Sequence, residues 1–567
     1  MSATIAASAG PTPATRTPLL SIEALNVWFA LGNAVGSPEA HVVRDVSLHL
    51  EAGECYGLIG ESGSGKTTTI QAVMGLLPSS ARVGGRIVLN GENILARGEA
   101  SVAPHRWKDV AMVFQGAMNA LNPVKTVGWQ IAEAMEVHGM ARGRAGLQRV
   151  GDLLGLVGIA PDQAARYPHQ FSGGMRQRAI IAMALACNPK VLLADEPTTA
   201  LDVMIQKQVL ELLVRLGREL QLGVILVTHD LGVVAETCAR AGVMLKGELV
   251  EQGAVTQLYH HPAHPYTGRL FKAAPTLAAA IAGSPVALKG DDAPLLRLEG
   301  LRVAYATAPR FADIVLRRRP PEKQAVDGIS LSVRRGDLVA LVGQSGCGKT
   351  STLQATLGMV PANGGHILFE GRDLTGLPPA EWRRVRRRMQ MIYQDPYEAL
   401  DSRFRVGETV AEPLGIHEPG LPRTERAARV NAALEAVGLS PAARFVHRYP
   451  HELSGGQRQR VAIAASIILR PSLLLADEPV SMLDVSVRTG ILDLLRALCR
   501  TQAMGILMIT HDLSTAADYA DRIAVMHNGR IVEEGPPAEV VGAPKAAYTR
   551  ALMAAIPRLD PSLRASA

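Results

Sequence analysis

The chain carries one glycine-rich string twice, GESGSGKT at Gly60–Thr67 and GQSGCGKT at Gly343–Thr350, and later motifs return at nearly the same interval. Lys66 and Lys349 stand 283 residues apart, Asp195 and Asp477 282, and His229 and His511 282. A register kept across three separate motifs requires two copies of one domain, and 567 residues exceed what a single hydrophobic core organises. Each copy opens with an alternating segment, LLSIEALNVWFA or LLRLEGLRVAYA, whose period of two predicts a strand. The apolar runs CYGLIG and LVALVG end in the glycine string, and TTTIQAVMGLL and TSTLQATLGMV follow at helical spacing. VLLADEP with LLLADEP, and VILVTHD with ILMITHD, are further buried-strand patterns. Apolar strands separated by amphipathic helices predict an α/β fold, a mostly parallel sheet with helices on its faces.

Strand, glycine loop and helix in that order form the setting of a phosphate-binding loop. Gly60, Gly63 and Gly65, with Glu61, Ser62 and Ser64 between them, let backbone N–H groups converge on phosphate oxygens. The helix N-terminus at Thr67 and Thr68 adds partial positive charge. Lys66 is placed to neutralise terminal phosphates, Thr67 to offer a hydroxyl to Mg²⁺, and Asp195 to complete that metal shell. Gly343, Gln344, Ser345, Gly346, Cys347, Gly348, Lys349, Thr350, Ser351 and Asp477 repeat the set. Glu196 and Glu478 follow the aspartates directly, where a carboxylate can polarise an attacking water. His229 and His511 end the next strands, where an imidazole can bond a terminal phosphate. In FSGGMRQR and LSGGQRQR, Ser172 and Ser454 are natural helix N-caps. Gly173 and Gly174, then Gly455 and Gly456, leave N–H groups free for an anion ahead of Met175 and Gln457.

Composition narrows the partners. A net charge of +7 suits a partner bearing phosphates without choosing among nucleotides, nucleic acid and lipid. No stretch reaches the roughly 18 apolar residues that cross a bilayer, so a membrane role has to be borrowed from another subunit. Five scattered cysteines without a CxxC pair argue against zinc, iron–sulfur clusters and a disulfide framework, and fit a reducing cytoplasm. Residues 1–20 lack the apolar centre of a secretion signal and are expected to form a disordered tail. The Ala-, Gly- and Pro-rich region at 276–295 reads as a linker, and Thr307–Gln324, without a counterpart in the first half, as a surface loop. The run Arg383–Arg388 reads as a solvated helix face.

With its glycine loops and SGG segments the sequence resembles the ATP-binding cassette (ABC) ATPases over nearly its whole length. The resemblance implies two tandem P-loop cassettes, 21–275 and 296–557, before a tail at 558–567. Each would hold a mostly parallel sheet, an antiparallel β subdomain and a helical subdomain. ATP and Mg²⁺ are the implied cofactors, ATP hydrolysis coupled to transport the implied activity, and each SGG signature would close over nucleotide held by the other half. Gln115 and Gln394 match the family's glutamine loop, which touches Mg²⁺ and senses the transport partner. The family also stacks an aromatic ring on adenine. Aligning LNVWFA with LRVAYA pairs Phe29 with Tyr305, so Phe29 is expected to stack, worth about 1–3 kcal/mol by analogy with other base platforms, and Trp28 to lie in the core.

Two positions depart from the pattern, Met175 in the first signature and Met482 where the first half has Ala200; both halves are still expected to hydrolyse ATP. HHPAHPYTGRLFKAAP at His260–Pro275 resembles the closing module of peptide and nickel importer ATPases, and Ala543–Pro557 matches it more weakly, without the His-Pro pair. No cysteine lies between Cys238 and Cys347, so the iron–sulfur centre of some relatives is not carried over, and His260, His261 and His264 read as surface residues. The implied partners are two transmembrane permease subunits and an extracytoplasmic substrate-binding protein, with no nucleic acid. The chain would then be peripheral on the cytoplasmic face of the inner membrane, serving import of di- or oligopeptides, nickel chelates or glutathione. A soluble tandem cassette protein acting on ribosomes or DNA is the alternative; the short, weakly charged linker speaks against it.

Overall fold

A computed structural model describes residues 18–30, 38–96, 98–114, 116, 120–199, 201–273, 293–306, 322–395, 399–481, 483 and 485–563. Gln115, Met482, most of the linker and the N-terminal tail to residue 17 lie outside the described residues. The chain divides into two compact units, the first chiefly residues before Lys272 and the second chiefly Ala273–Ile556.

In the first unit the opening strand β1 (Leu20–Ala30) pairs antiparallel with β2 (Glu39–Leu50). After β3 (Cys55–Ile59), β4 (Ala81–Leu89) and β5 (Glu92–Asn93) extend that first sheet in the order β2-β1-β4-β5. The period of two is visible in the burial of Leu20 and Ile22 and again of Leu25 and Val27, with the phase shifted by one residue at the irregularity between the two pairs. The second sheet takes β3, β6 (Val110–Val113), β7 (Val191–Asp195), β8 (Gly223–Thr228), β9 (Arg240–Leu245) and β10 (Glu248–Ala254) in the order β10-β9-β3-β8-β7-β6. Only the β9–β10 pair is antiparallel. β7 and β8 are buried throughout, as strands covered on both faces must be. Helices Val127–Val137, Gly143–Leu156 and Gly173–Ala184 pack on one another as the helical part.

The second unit repeats the plan. Its strands are β11 (Leu296–Ala306), β12 (Glu322–Val333), β13 (Leu338–Val342), β14 (Gly364–Phe369), β15 (Arg372–Asp373), β16 (Met389–Ile392), β17 (Leu473–Asp477), β18 (Gly505–Thr510), β19 (Arg522–His527) and β20 (Arg530–Gly535). The sheet orders are β12-β11-β14-β15, the same as in the first unit, and β16-β17-β18-β13-β19-β20, the first unit's order read from the other edge. Helices Val406–His417, Arg423–Ala436 and Gly455–Ile467 form its helical part. The predicted fold class therefore holds in both halves.

Two local expectations change, and one contact is added. Trp28 is not a core residue: its half-buried indole stacks on His41 at 4.7 Å and under the Arg82 guanidinium at 3.8 Å, because β1 shifts register between Ile22 and Leu25 and moves the buried phase to Leu25 and Val27, leaving Trp28 on the other face. The arginine run is not merely solvated. Arg386 donates to the carbonyls of Leu357 and Gly358 and thereby caps the end of the helix Lys349–Thr356, as Arg106 does for Met74 and Gly75. Cys55 and Cys238, distant in sequence, have their sulfurs 3.4 Å apart.

Gly60 and Gly343 turn the chain out of the central strand, Gly60 at φ 152°; a Cβ on Gly60 would meet Met244 O at 2.3 Å, and one on Gly343 would meet Met526 O at 2.2 Å. Gly63 and Gly346 also have positive φ but face open space. Gly63→Ala should therefore cost only left-handed strain, about 1–2 kcal/mol. Gly60→Ala must in addition push back a strand carbonyl, so urea denaturation should show it losing clearly more stability, and equal losses would contradict the packing described.

Candidate functional site

Because β3, β8 and β7 are parallel neighbours, the loop after β3, His229 after β8 and Asp195–Glu196 at the end of β7 emerge at the same sheet edge. The helix Lys66–Met74 starts from Gly65 in a left-handed conformation, with its N-terminus at that edge. Lys66 is 5% exposed, and its Nζ donates to Gly60 O and Glu61 O, both at 2.8 Å. Ser62 and Gly63 form the exposed tip of the loop, while Ser64 and Gly65 are buried and Thr68 is half-buried. Thr67 Oγ1 donates to Asp195 Oδ1 at 3.1 Å. Burial pushes the Asp195 carboxyl up to about 6, aided by neighbouring Glu196 and opposed by Thr67 and Lys66.

Glu196 occupies the left-handed region at φ 45°, held there as its N–H donates to Val227 O of β8 at 2.9 Å. Its Oε1 lies 3.0 Å from His229 Nδ1, and its Oε2 accepts from Thr199 Oγ1 at 3.0 Å. Burial alone would raise the Glu196 carboxyl, but the bond from His229 and its charge outweigh that and hold it below the usual range. The sequence marked Glu196 and His229 as separate candidates; what it did not show is that they form one hydrogen-bonded pair.

The second unit builds the same site. Lys349 Nζ lies 2.6 Å from Gly343 O and 2.9 Å from Gln344 O, and Thr350 Oγ1 lies 3.4 Å from Asp477 Oδ1. Burial likewise raises the Asp477 carboxyl. Glu478, at φ 44°, approaches His511 Nδ1 at 3.1 Å, and Gln394 Nε2 donates to the same Glu478 oxygen at 3.1 Å. Gln394 thus joins the predicted constellation, while Gln115 falls outside the described residues. For His511, burial favours the neutral ring, yet Glu478 and Asp512 outweigh it and the imidazole is held protonated above its ordinary range. Ser345 and Gly346 are exposed at this loop tip and Gly348 is buried. Cys347 is buried beside Lys349; burial pushes its thiol up against the pull of the ammonium, which disfavours the reactive thiolate.

The signature segments begin helices as expected. Ser172 Oγ accepts from Met175 N at 3.3 Å, and Ser454 Oγ from Gln457 N at 3.3 Å. Only the second is a full capping box, because Gln457 Oε1 also accepts from Ser454 N at 3.1 Å and a methionine cannot. Gly173 and Gly455 open these helices, followed by Gly174 and Gly456. The two aromatic candidates differ. Tyr305 is 39% exposed and its hydroxyl donates to Ser351 Oγ at 3.1 Å, beside the phosphate loop, whereas Phe29 packs against the core between the two sheets of its unit.

Comparison with known proteins places these sites in a family. The ABC transporter family matches residues 43–199 and 326–481, and the C-terminal region of oligopeptide/dipeptide transporters matches 250–299 and 532–567. The glutathione import ATP-binding protein GsiA of Salmonella typhimurium is 43% identical, covering 96% of this chain and 90% of its own. The peptidoglycan transport ATP-binding protein YejF of Agrobacterium fabrum is 42% identical, covering 95% and 96%. A solved dimeric ATP-binding cassette in a post-hydrolysis state, bound to ADP and Pi, is 25% identical with a TM-score of 0.38, covering 43% of this chain and 98% of that one. The chain belongs to the ABC transporter ATP-binding proteins, as an ATPase with two cassettes, each followed by a C-terminal region of the oligopeptide/dipeptide transporter type.

Proposed function

We propose that this chain is the energy-coupling subunit of an importer for small peptides or peptide-like solutes, glutathione among them, and that both of its sites hydrolyse ATP. The observation that carries the reading is the pairing of two complete sites with two copies of the oligopeptide/dipeptide transporter region. Relatives named for glutathione import and peptidoglycan transport support the same class of cargo. Among the described residues no helix is long and apolar enough to cross a membrane, so two permease subunits would supply the path and a substrate-binding protein the cargo. The chain would act peripherally, on the cytoplasmic face of the inner membrane. Action on ribosomes or DNA is not favoured, since the matched C-terminal regions are those of transporters.

In each site the glycine-loop N–H groups and the lysine would hold the phosphates, and the left-handed Glu196 or Glu478 would orient and deprotonate the attacking water. His229 and His511 would steady that carboxylate and reach the terminal phosphate. Ser172 with Gly173, Gly174 and Met175, and Ser454 with Gly455, Gly456 and Gln457, would add helix N-termini that attract phosphate. Tyr305, exposed beside the phosphate loop, would flank the adenine in the second site, and Phe29 would do so in the first from its half-buried place at the margin of the core. The hydroxyl and buried carboxylate that meet at Thr67–Asp195 and Thr350–Asp477 make an oxygen donor set suited to Mg²⁺, with Gln394, and Gln115 by its sequence position, as further oxygen donors. Bound there, Mg²⁺ would supply charge neutralisation to the terminal phosphates.

Removing one preorganised charge-stabilising donor costs about 10²–10³ in rate in other enzymes. Lys66→Ala and Lys349→Ala should each disable one site, and the double variant should lose at least that factor in steady-state phosphate release; a fully active double variant rejects the assignment. Glu196→Gln with Glu478→Gln should keep nucleotide binding while turnover falls about 10²–10⁴, so a proportional loss of binding would contradict the role given to the carboxylates. Reconstituted with permeases and a binding protein of the oligopeptide/dipeptide class, the chain should show ATPase stimulated by glutathione or a dipeptide, and stimulation by a sugar alone would overturn the cargo class.

A further inference from the structure

The region following each cassette reaches back to the phosphate loop. Tyr266 lies in the helix Pro265–Ala273, and its hydroxyl accepts the N–H of Glu61 at 3.3 Å across 205 residues. Tyr548, in the helix Ala547–Ala555, accepts the N–H of Gln344 at 3.1 Å across 204 residues. Neither N–H is an arbitrary one. Glu61 N belongs to the same peptide group as Gly60 O, and Gln344 N to the same group as Gly343 O, the carbonyls that hold Lys66 and Lys349 at 2.8 and 2.6 Å. In a trans peptide the N–H and C=O point in opposite directions, so a partner on the N–H fixes where the carbonyl aims.

The tyrosines are themselves held. In the first unit Glu251 of β10 accepts the backbone N–H groups of Ala263 and His264 at 2.8 and 3.0 Å, just before the helix that carries Tyr266. In the second, Glu533 of β20 accepts those of Lys545 and Ala546 at 2.7 and 3.1 Å. Burial would raise both carboxyls, but these N–H groups and the adjoining Thr267 and Thr549 side chains hold them ionised below the usual range. Tyr266 is 6% exposed, and the Tyr548 ring stacks on His527 with centroids 4.0 Å apart. A carboxylate at the sheet edge thus fixes the loop, the loop fixes the tyrosine, and the tyrosine fixes one peptide plane, twice over.

We propose that Tyr266 and Tyr548 are positioning residues for nucleotide binding, each setting from the C-terminal region the peptide that seats the phosphate-loop lysine. The inference rests on the reading that Lys66 and Lys349 bind the terminal phosphates of ATP. The tyrosines do not touch the nucleotide; they act through the lysines.

The test uses the full chain with Tyr266→Phe and Tyr548→Phe combined, which keeps both rings and removes only the hydroxyls. Titration with a fluorescent non-hydrolysable ATP analogue should show affinity weakened about three- to tenfold, the factor expected for one net hydrogen bond per site. KM for ATP should rise by the same factor, kcat at saturation should stay within about twofold, and the thermal midpoint should fall by no more than the few degrees that one hydrogen bond per unit supports. In the Lys66→Ala/Lys349→Ala background the same substitutions should add no further loss, because coupled residues are not additive. Unchanged affinity in the phenylalanine pair overturns the proposal, as does a full additional loss in the lysine background. If the lysine variants bind the analogue as tightly as the parent chain, the phosphate-seat reading itself falls, and this proposal with it.

Discussion

A lysine ammonium almost wholly removed from water is the constraint around which each site is arranged. Lys66 and Lys349 are each 5% exposed, and burying an uncompensated ammonium costs several kcal/mol even after the surroundings relax. The compensation is local: two carbonyls of the loop turn inward onto each Nζ. They can do so only because the chain leaves the central strand through a glycine pressed against the neighbouring β9 or β19 carbonyl, where no side chain fits. The glycine pattern is thus as much a condition for seating the lysine as for admitting phosphate. Since β3 and β13 are flanked on both sides by parallel strands, the rigidity of the seat comes from the sheet, and the donors are aimed before any nucleotide arrives.

The same edge stores strain at the glutamates. A non-glycine residue in the left-handed region persists only where its surroundings over-determine it, and Glu196 and Glu478 sit there at φ 45° and 44°. What holds each is the N–H donated to the adjacent strand, Val227 O or Ile509 O, which turns the carboxylate toward the histidine. Relaxing the turn would move the carboxylate away from its partner. Backbone strain here is a positioning device, and its recurrence in both units marks it as part of the site.

The two sites are alike in frame and unlike in detail. Gln457 closes a reciprocal cap on Ser454 that Met175 cannot close on Ser172, so the N–H of Ser454 is already engaged by its own helix. Ser64 approaches its lysine at 3.5 Å where Cys347, a weaker partner, stands at 4.0 Å. Glu196 receives a hydroxyl from Thr199, whereas the corresponding Ser481 turns its hydroxyl to the Glu478 backbone carbonyl at 3.2 Å and leaves the side chain to Gln394 and His511. The lysine and glutamate differences change how tightly a charged group is held, which is where unequal turnover between the sites would originate.

Much of this was legible in the sequence because its signals are local. Glycine spacing, apolar runs ending in paired acids and the 282-residue register name the loops, strands and catalytic candidates directly. Contacts across the sheet leave no such trace. Trp28 reads as core from alternation, but a register shift in β1 delivers it to Arg82 and His41, and nothing in the order of residues announces that shift. The link from Tyr266 to the loop is the harder case, since one of ten tyrosines carries no signal by type. A trace exists nonetheless in how the two copies differ. His264-Pro265-Tyr266-Thr267 becomes Ala546-Ala547-Tyr548-Thr549, so the copies part at the His-Pro pair and agree at the tyrosine. The carboxylate clamp survives the exchange because Glu533 takes backbone N–H groups, which alanine supplies as well as histidine. The hydroxyl has no backbone substitute, and the repeat keeps it.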